Sequence, residues 1–158
     1  MCLDTGYLSI EDYQELTRRF IEYGKLSKED EQRIQKAMED VCISIGMSEG
    51  VKLTPEQYLS GIIEMPVEER KIMAESLLNQ WFDVVDTNGD GVISPNEFGV
   101  YFKIMGIEES ATQASFDLID TNHDGIISRD EFVAAGVDFF IGVDETSVGT
   151  LFYGPLVD

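Results

Sequence analysis

The stretch DTNGDGVISPNE at residues 86–97 recurs as DTNHDGIISRDE at residues 120–131, with four of its twelve letters changed. A short motif written twice has to find the same backbone setting twice, so the repeat constrains the fold more than any other feature. The two copies begin 34 residues apart. That interval has room for one helix leaving the first copy, about Pro95 to Met105, and one entering the second, about Glu109 to Ile119. The order is therefore helix, loop, helix, helix, loop, helix.

Helical periodicity runs through the rest of the chain. Tyr13, Leu16 and Phe20 form one apolar stripe, Ile34, Ala37, Met38 and Val41 a second, and Leu77, Leu78, Trp81, Phe82 and Val85 a third. Ser27 with Asp30, and Thr54-Pro55 with Gln57, carry the marks of helix starts, a side-chain cap and in the second case proline at the first helical position. Alternation suited to strands is confined to very short pieces. An all-α protein is expected, with a boundary between halves at Glu64-Met65-Pro66-Val67, where proline stops the preceding helix.

The chain has 158 residues, enough for an ordinary core as one domain or two small intertwined ones. Its 31 acidic residues against 11 basic ones give a net charge of -20, which disfavours nucleic acid as a partner. With 43% hydrophobic residues, the acidity does not signify disorder. Charged residues interrupt every apolar run before it reaches the ~18 residues of a membrane span. Cys2 and Cys42 are the only cysteines and nothing at the start resembles a signal peptide, so a reducing, cytoplasmic location is expected; a monomer is expected as well.

Both copies match D-x-[DN]-x-[DN]-G-x5-E, the calcium loop of the EF-hand, at every specified place. In the first, Asp86, Asn88 and Asp90 occupy positions 1, 3 and 5, and Gly91 at position 6 permits the positive backbone angle that turns the chain. Val92 offers its carbonyl, Ser94 acts directly or through water, and Glu97 closes the sphere with both carboxylate oxygens. The second repeats this with Asp120, Asn122, Asp124, Gly125, the Ile126 carbonyl, Ser128 and Glu131. An all-oxygen donor set suits calcium, with magnesium as competitor, and disfavours zinc or copper. Ile93 and Ile127, at position 8, are expected to pair as a two-residue antiparallel ribbon.

Because such loops work in pairs, the first half should hold eroded copies. Residues 1–12, MCLDTGYLSIED, keep Gly6, Leu8, Ser9 and Asp12 at positions 6, 8, 9 and 12. Met1, Leu3 and Thr5 stand where positions 1, 3 and 5 need ligands, and there is no room for an incoming helix, so the first hand is expected to be truncated. Residues 46–57, GMSEGVKLTPEQ, keep Leu53 at position 8 but place Gly46, Ser48, Gly50 and Gln57 at ligand positions. This second hand is expected to be a partner without an ion. The expected division is residues 1–66, a metal-free half, and residues 67–158, which carry both calcium loops and an apolar tail.

From Trp81 onward, VDTNGDGVISPNEFGVYF, ASFDLIDTNHDGIISRDEFVAAGVDFF and the closing LFYGPLV resemble invertebrate sarcoplasmic calcium-binding proteins. GMSEGVKLTPEQY resembles at least as much the related coelenterazine-binding, or luciferin-binding, proteins. The resemblance implies a compact four-hand protein with a silent second hand, functional third and fourth hands and usually a functional first one. The chain departs from that pattern at Met1 to Thr5. Light-emitting relatives hold their substrate with several histidines; His123, the one histidine here, falls at a solvent-facing loop position, so no light reaction is expected.

Three functional readings follow. A calcium buffer is favoured by charge-rich sites and by the tail residues Leu151, Phe152, Tyr153, Pro155, Leu156 and Val157, which suit packing back onto the body. A sensor would gather methionines in one groove, but the six here are scattered. A carrier would use Phe20, Met38, Trp81, Phe82, Tyr101, Phe102, Phe116, Phe139, Phe140 and Tyr153 to enclose a small aromatic ligand such as coelenterazine. No nucleophile paired with a base and no phosphate-cradling loop is evident, so an enzyme is not expected.

Overall fold

Two antiparallel ribbons of two residues per strand organise seven helices in the described part of the chain. The computed structural model describes residues 6–141, apart from the side chains of residues 58, 59, 61, 62, 139 and 140. In chain order the elements are β1 (Leu8–Ser9), α1 (Ile10–Gly24), α2 (Lys28–Ser44), β2 (Lys52–Leu53), α3 (Pro55–Ile63), α4 (Val67–Val85), β3 (Val92–Ile93), α5 (Pro95–Ile104), α6 (Glu109–Ile119), β4 (Ile127–Ser128) and α7 (Arg129–Ile141). The helix α6 has the bounds expected from sequence, and α5 stops one residue short because Met105 becomes its C-cap.

Ile93 pairs with Ile127 across β3 and β4, as the position-8 argument requires. The first half repeats the device with Leu8 opposite Leu53. Each ribbon fixes two loops back to back, and the helices leave from its ends. Those helix starts are capped in one recurring way. Ser94 and Glu97 exchange backbone and side-chain hydrogen bonds at α5, Ser128 and Glu131 do so at α7, and Thr54 and Gln57 do so at α3. At α1, the Ser9 N–H and hydroxyl both donate to Asp12. Ser27 caps α2 by accepting from the Asp30 N–H, and Pro66 is the N-cap of α4, where the boundary between halves was expected.

The three apolar stripes point inward together. Leu16, Phe20, Ile34, Met38, Val41, Leu78, Phe82 and Val85 are buried with Phe98, Phe102, Phe116 and Phe132 in one core, and Tyr13 and Trp81 pack at its margin. Helices from both sides of Pro66 share it, since α2 packs on α4 and α1 packs on α5. Met1 to Thr5, Cys2, the tail Leu151 to Val157 and the side chains of Tyr58, Phe139 and Phe140 lie outside the described residues.

At Gly136, α7 comes close to α4. A β-carbon added at Gly136 would stand 2.3 Å from Leu78 Cδ2 and 2.7 Å from its Cδ1. Leu78 is itself 1% exposed, so it has nowhere to retreat. Gly136→Val is therefore expected to destabilise the protein by about 1–3 kcal/mol through overpacking, in spite of valine's better helix propensity. In denaturant the midpoint should fall while the slope stays constant.

Candidate metal centres

Asp86 is the first residue after α4, and its N–H still donates to Phe82 O at 2.8 Å. Its carboxylate turns into the loop, where Oδ1 accepts from Gly89 N–H at 2.8 Å and Asp90 N–H at 3.2 Å, and Oδ2 accepts from Gly91 N–H at 3.0 Å. Gly91 can present that N–H because its φ is +88°, a conformation strained for any side chain. Further on, Asn88 Oδ1 accepts from Asp90 N–H at 3.0 Å and Asp90 Oδ1 from Val92 N–H at 3.1 Å. Each acidic or amide side chain is pinned by a backbone donor ahead of it, and the loop winds around its own oxygens.

Glu97 reaches the same loop from the first turn of α5. Its Oε2 accepts from Ser94 N–H at 2.9 Å and Ser94 Oγ at 2.7 Å, and its Oε1 from Thr87 Oγ1 at 3.1 Å and Asn88 N–H at 3.2 Å. Asp86 and Glu97 are 3% and 4% exposed, an unusual depth for carboxylates. Burial pushes the Asp86 carboxyl up from its ordinary value; the Gly91 N–H, the Arg33 cation and the Gly89 N–H oppose the rise, and nearby Glu97 adds to it.

The second loop repeats the geometry. Asp120 accepts from Asp124 N–H at 3.2 Å and Gly125 N–H at 2.9 Å, Asn122 from Asp124 N–H at 2.9 Å, and Asp124 from Ile126 N–H at 3.1 Å. Glu131 accepts from the Ser128 N–H and hydroxyl, from the Thr121 N–H and hydroxyl, and from Asn122 N–H. Burial alone would raise its pKa, but the donors from Ser128, Thr121 and Asn122 outweigh it and hold the carboxyl at about 2. His123 is exposed, with φ +58°.

The donor set is oxygen throughout, and a carboxylate oxygen that accepts one loop N–H keeps a further lone pair. Such a set fits a hard divalent cation. Among the described residues, no three His, Cys, Asp or Glu groups are already drawn into a closed metal cage. Asn, Ser and backbone carbonyls supply much of each expected sphere, while Glu97 and Glu131 are held in the caps of α5 and α7.

The first-half loops are built otherwise. Gly6 keeps the left-handed turn at φ +73°. In residues 46–57 the corresponding turn falls at Gly50, φ +84°, one place early, because Val51 at position 6 has a β-carbon. There the N–H groups of Gly46, Met47 and Val51 bond to backbone carbonyls of Ile43, Cys42 and Ser48, where the calcium-type loops use carboxylates.

Four further participants are not legible as such in the sequence. Thr87 and Thr121 brace the glutamates, and their one signal is repetition at position 2. Arg33, from α2, and Arg129, from α7, both reach the end of α4 across some 50 residues of sequence.

A profile for the EF-hand domain pair matches residues 74–135, which span both loops. The sarcoplasmic calcium-binding protein of Perinereis vancaurica tetradentata is 37% identical over 155 residues, covering 96% of this chain and 88% of that one. The luciferin-binding protein of Renilla reniformis is 31% identical over 159 residues, covering 96% of this chain and 85% of its own. The crystal structure of the coelenterazine-binding protein from Renilla muelleri, in its calcium-loaded apo form, superposes with a TM-score of 0.85 at 31% identity, covering 97% of this chain and 87% of that one. With 37% and 31% identity to these two proteins over 96% of its length, the chain belongs to the EF-hand family of sarcoplasmic calcium-binding and luciferin-binding proteins.

Proposed function

We propose that the chain is a calcium buffer with two sites, loops 86–97 and 120–131, at which magnesium competes. One observation carries the reading: two loops fold alike around side-chain oxygens, each with a position-1 aspartate and a position-12 glutamate oriented by loop N–H groups. Asp86, Asn88, Asp90, Ser94, Glu97 and the Val92 carbonyl serve the first ion. Asp120, Asn122, Asp124, Ser128, Glu131 and the Ile126 carbonyl serve the second. Residues 1–66 act as the metal-free half and residues 67–158 as the binding half. A monomer in the cytoplasm is the matching state, and the sarcoplasmic relatives are in keeping with that compartment.

Buffering is favoured over sensing by the methionines. Met38 and Met47 are buried and Met65, Met73 and Met105 half-buried, and no one groove gathers the five described. The carrier reading has its own support in the likeness to the coelenterazine-binding protein and in a cleft of about 650 Å³ between α1 and α2, lined by Tyr13, Met38, Cys42, Ile43 and Met47. Among the described aromatics expected to enclose a ligand, Phe82, Tyr101, Phe102 and Phe116 pack against other rings instead. Phe98 and Phe102 lie 4.5 Å apart by ring centroid, Phe98 and Phe116 5.5 Å, and Phe82 and Phe132 5.8 Å.

Calorimetric titration with calcium should return two sites, with weaker apparent affinity in millimolar magnesium; one site or three would overturn the assignment. Glu97→Gln and Glu131→Gln should each remove one equivalent, because a neutral amide cannot give the bidentate ligation of position 12. A hydrophobic dye should brighten little on calcium addition, and strong brightening would make the protein a sensor. Mixed with coelenterazine, the protein should give no calcium-sensitive absorption shift, whereas a saturable shift would make it a carrier.

A further inference from the structure

Two arginines grip the last turns of α4, and they account for two of the four letters that distinguish the repeated loops. Arg33, on α2 in the first half, donates through Nη1 to Asp83 O at 2.9 Å and through Nη2 to Asp86 O in a short hydrogen bond. Its Nε is buried, 3.9 Å from the Asp30 carboxylate. Arg129, at position 10 of the second loop, donates to Asn79 O at 3.0 Å and to Asp83 Oδ1 at 2.5 Å, and its guanidinium stands 4.2 Å from the centre of the Phe82 ring. Asp83 is thus held by its carbonyl from one side and by its carboxylate from the other.

Position 4 bears the mark of Arg33. Gly89 and His123 occupy this position in the two loops, both with left-handed φ, +70° and +58°. Histidine shows that a side chain is compatible with the turn. At Gly89, however, a β-carbon would stand 3.0 Å from Arg33 Nε and 3.2 Å from its Cζ. Position 10 bears the mark of the other arm: Pro95 begins α5 in the first loop, whereas Arg129 in the second reaches back to α4.

The carbonyls that end a helix have no partner within it, and a cation there also meets the negative end of the helix dipole. A guanidinium satisfies two of them at once, with a rigidity that an ammonium on a flexible stem lacks. One of the two belongs to Asp86, whose carboxylate is the position-1 group of the first loop. We propose that Arg33 is a positioning residue for loop 86–97: it sets the backbone from which that loop springs and couples the loop's occupancy to the metal-free half of the protein. Arg129 ties the second loop to the same turn of α4. This inference rests on the reading of loop 86–97 as a calcium site.

The test isolates each loop. With Glu131→Gln leaving only the first loop, Arg33→Gln should weaken calcium binding about tenfold, and with Glu97→Gln leaving only the second loop, the same change should move affinity by less than about threefold. Gly89→His should reproduce the first-loop loss by displacing the guanidinium, and adding Arg33→Gln to it should cause little further loss, since both changes break one contact. Hydrogen exchange in α2 should slow when calcium fills loop 86–97 in the arginine protein and not in the glutamine variant. Unchanged first-loop affinity, equal losses at both loops, or additive losses would overturn the proposal. Should Arg33→Gln fail to fold, Arg33→Lys serves in its place, and full affinity with lysine would be the overturning result. If the wild-type protein takes up no calcium, the calcium reading fails; the same cycle in thermal unfolding of the metal-free protein then judges the Arg33 contact, and additive effects there refute it.

Discussion

The arrangement depends on the two-residue ribbon at position 8. Ile93 and Ile127 are both fully buried and face each other across it, so the two loops cannot separate without opening the core. Four residues of strand are far too few to be stable alone. They persist because the branched side chains pack into the core between α4, α5, α6 and α7, and because the next residues begin capped helices. Ribbon, cap and helix stripe are one cooperative unit, and the loops that present oxygen atoms to an ion hang from it. The first half uses the same unit with Leu8 and Leu53.

That scaffold tolerates an awkward charge distribution. With a net charge of -20, the chain still buries Asp86, Asp120 and Glu97 to 5% exposure or less. Bare carboxylates at that depth would strongly favour protonation. Loop N–H groups replace the lost water, though unevenly. The Glu131 carboxyl, which is less enclosed, has enough donors to stay low, while burial of Asp86 outruns its donors even with Arg33 beside it. A cation resolves both problems, by neutralising the loop and by giving the remaining lone pairs a partner. Metal uptake and folding stability are linked for that reason, with about 2.7 kcal/mol gained at 100 times the dissociation constant.

What the sequence disclosed follows from the range of each interaction. The α6 boundaries, the caps at Ser27 and Thr54, the inward stripes and the Ile93–Ile127 pairing are all set within about a dozen residues or by the repeat itself, and each is present in the structure. Contacts made by long side chains across the fold left no local trace. Arg33 reads as an ordinary exposed helix cation in α2, and Gly136 as a weak point in a helix, until α4 is packed against both. The shift of the turn to Gly50 was likewise hidden, because residues 46–57 have no carboxylate at positions 1, 3, 5 and 12 to align the loop. Aromatics at helical spacing are more often core than cavity lining, and in the structure Phe98 packs ring to ring with Phe102 and Phe116.

The eroded loops show which parts of the motif belong to the fold and which to the ion. Residues 1–12 and 46–57 retain the apolar residue at position 8, the hydroxyl at position 9 and an acceptor at position 12, because Leu8 and Leu53 make the ribbon while Ser9–Asp12 and Thr54–Gln57 cap α1 and α3. None of those tasks involves a metal. Positions 1, 3 and 5 hold Met1, Leu3 and Thr5 in one loop and Gly46, Ser48 and Gly50 in the other, and the ribbon and caps do not depend on carboxylates there. In the 46–57 loop, backbone carbonyls take over the task of holding the turn. Glu97 and Glu131 belong to both sets, for the capping carboxylate of each exit helix is also the group that would close the coordination sphere. A shorter or a neutral side chain at position 12, as in Asp12 and Gln57, therefore still makes the cap.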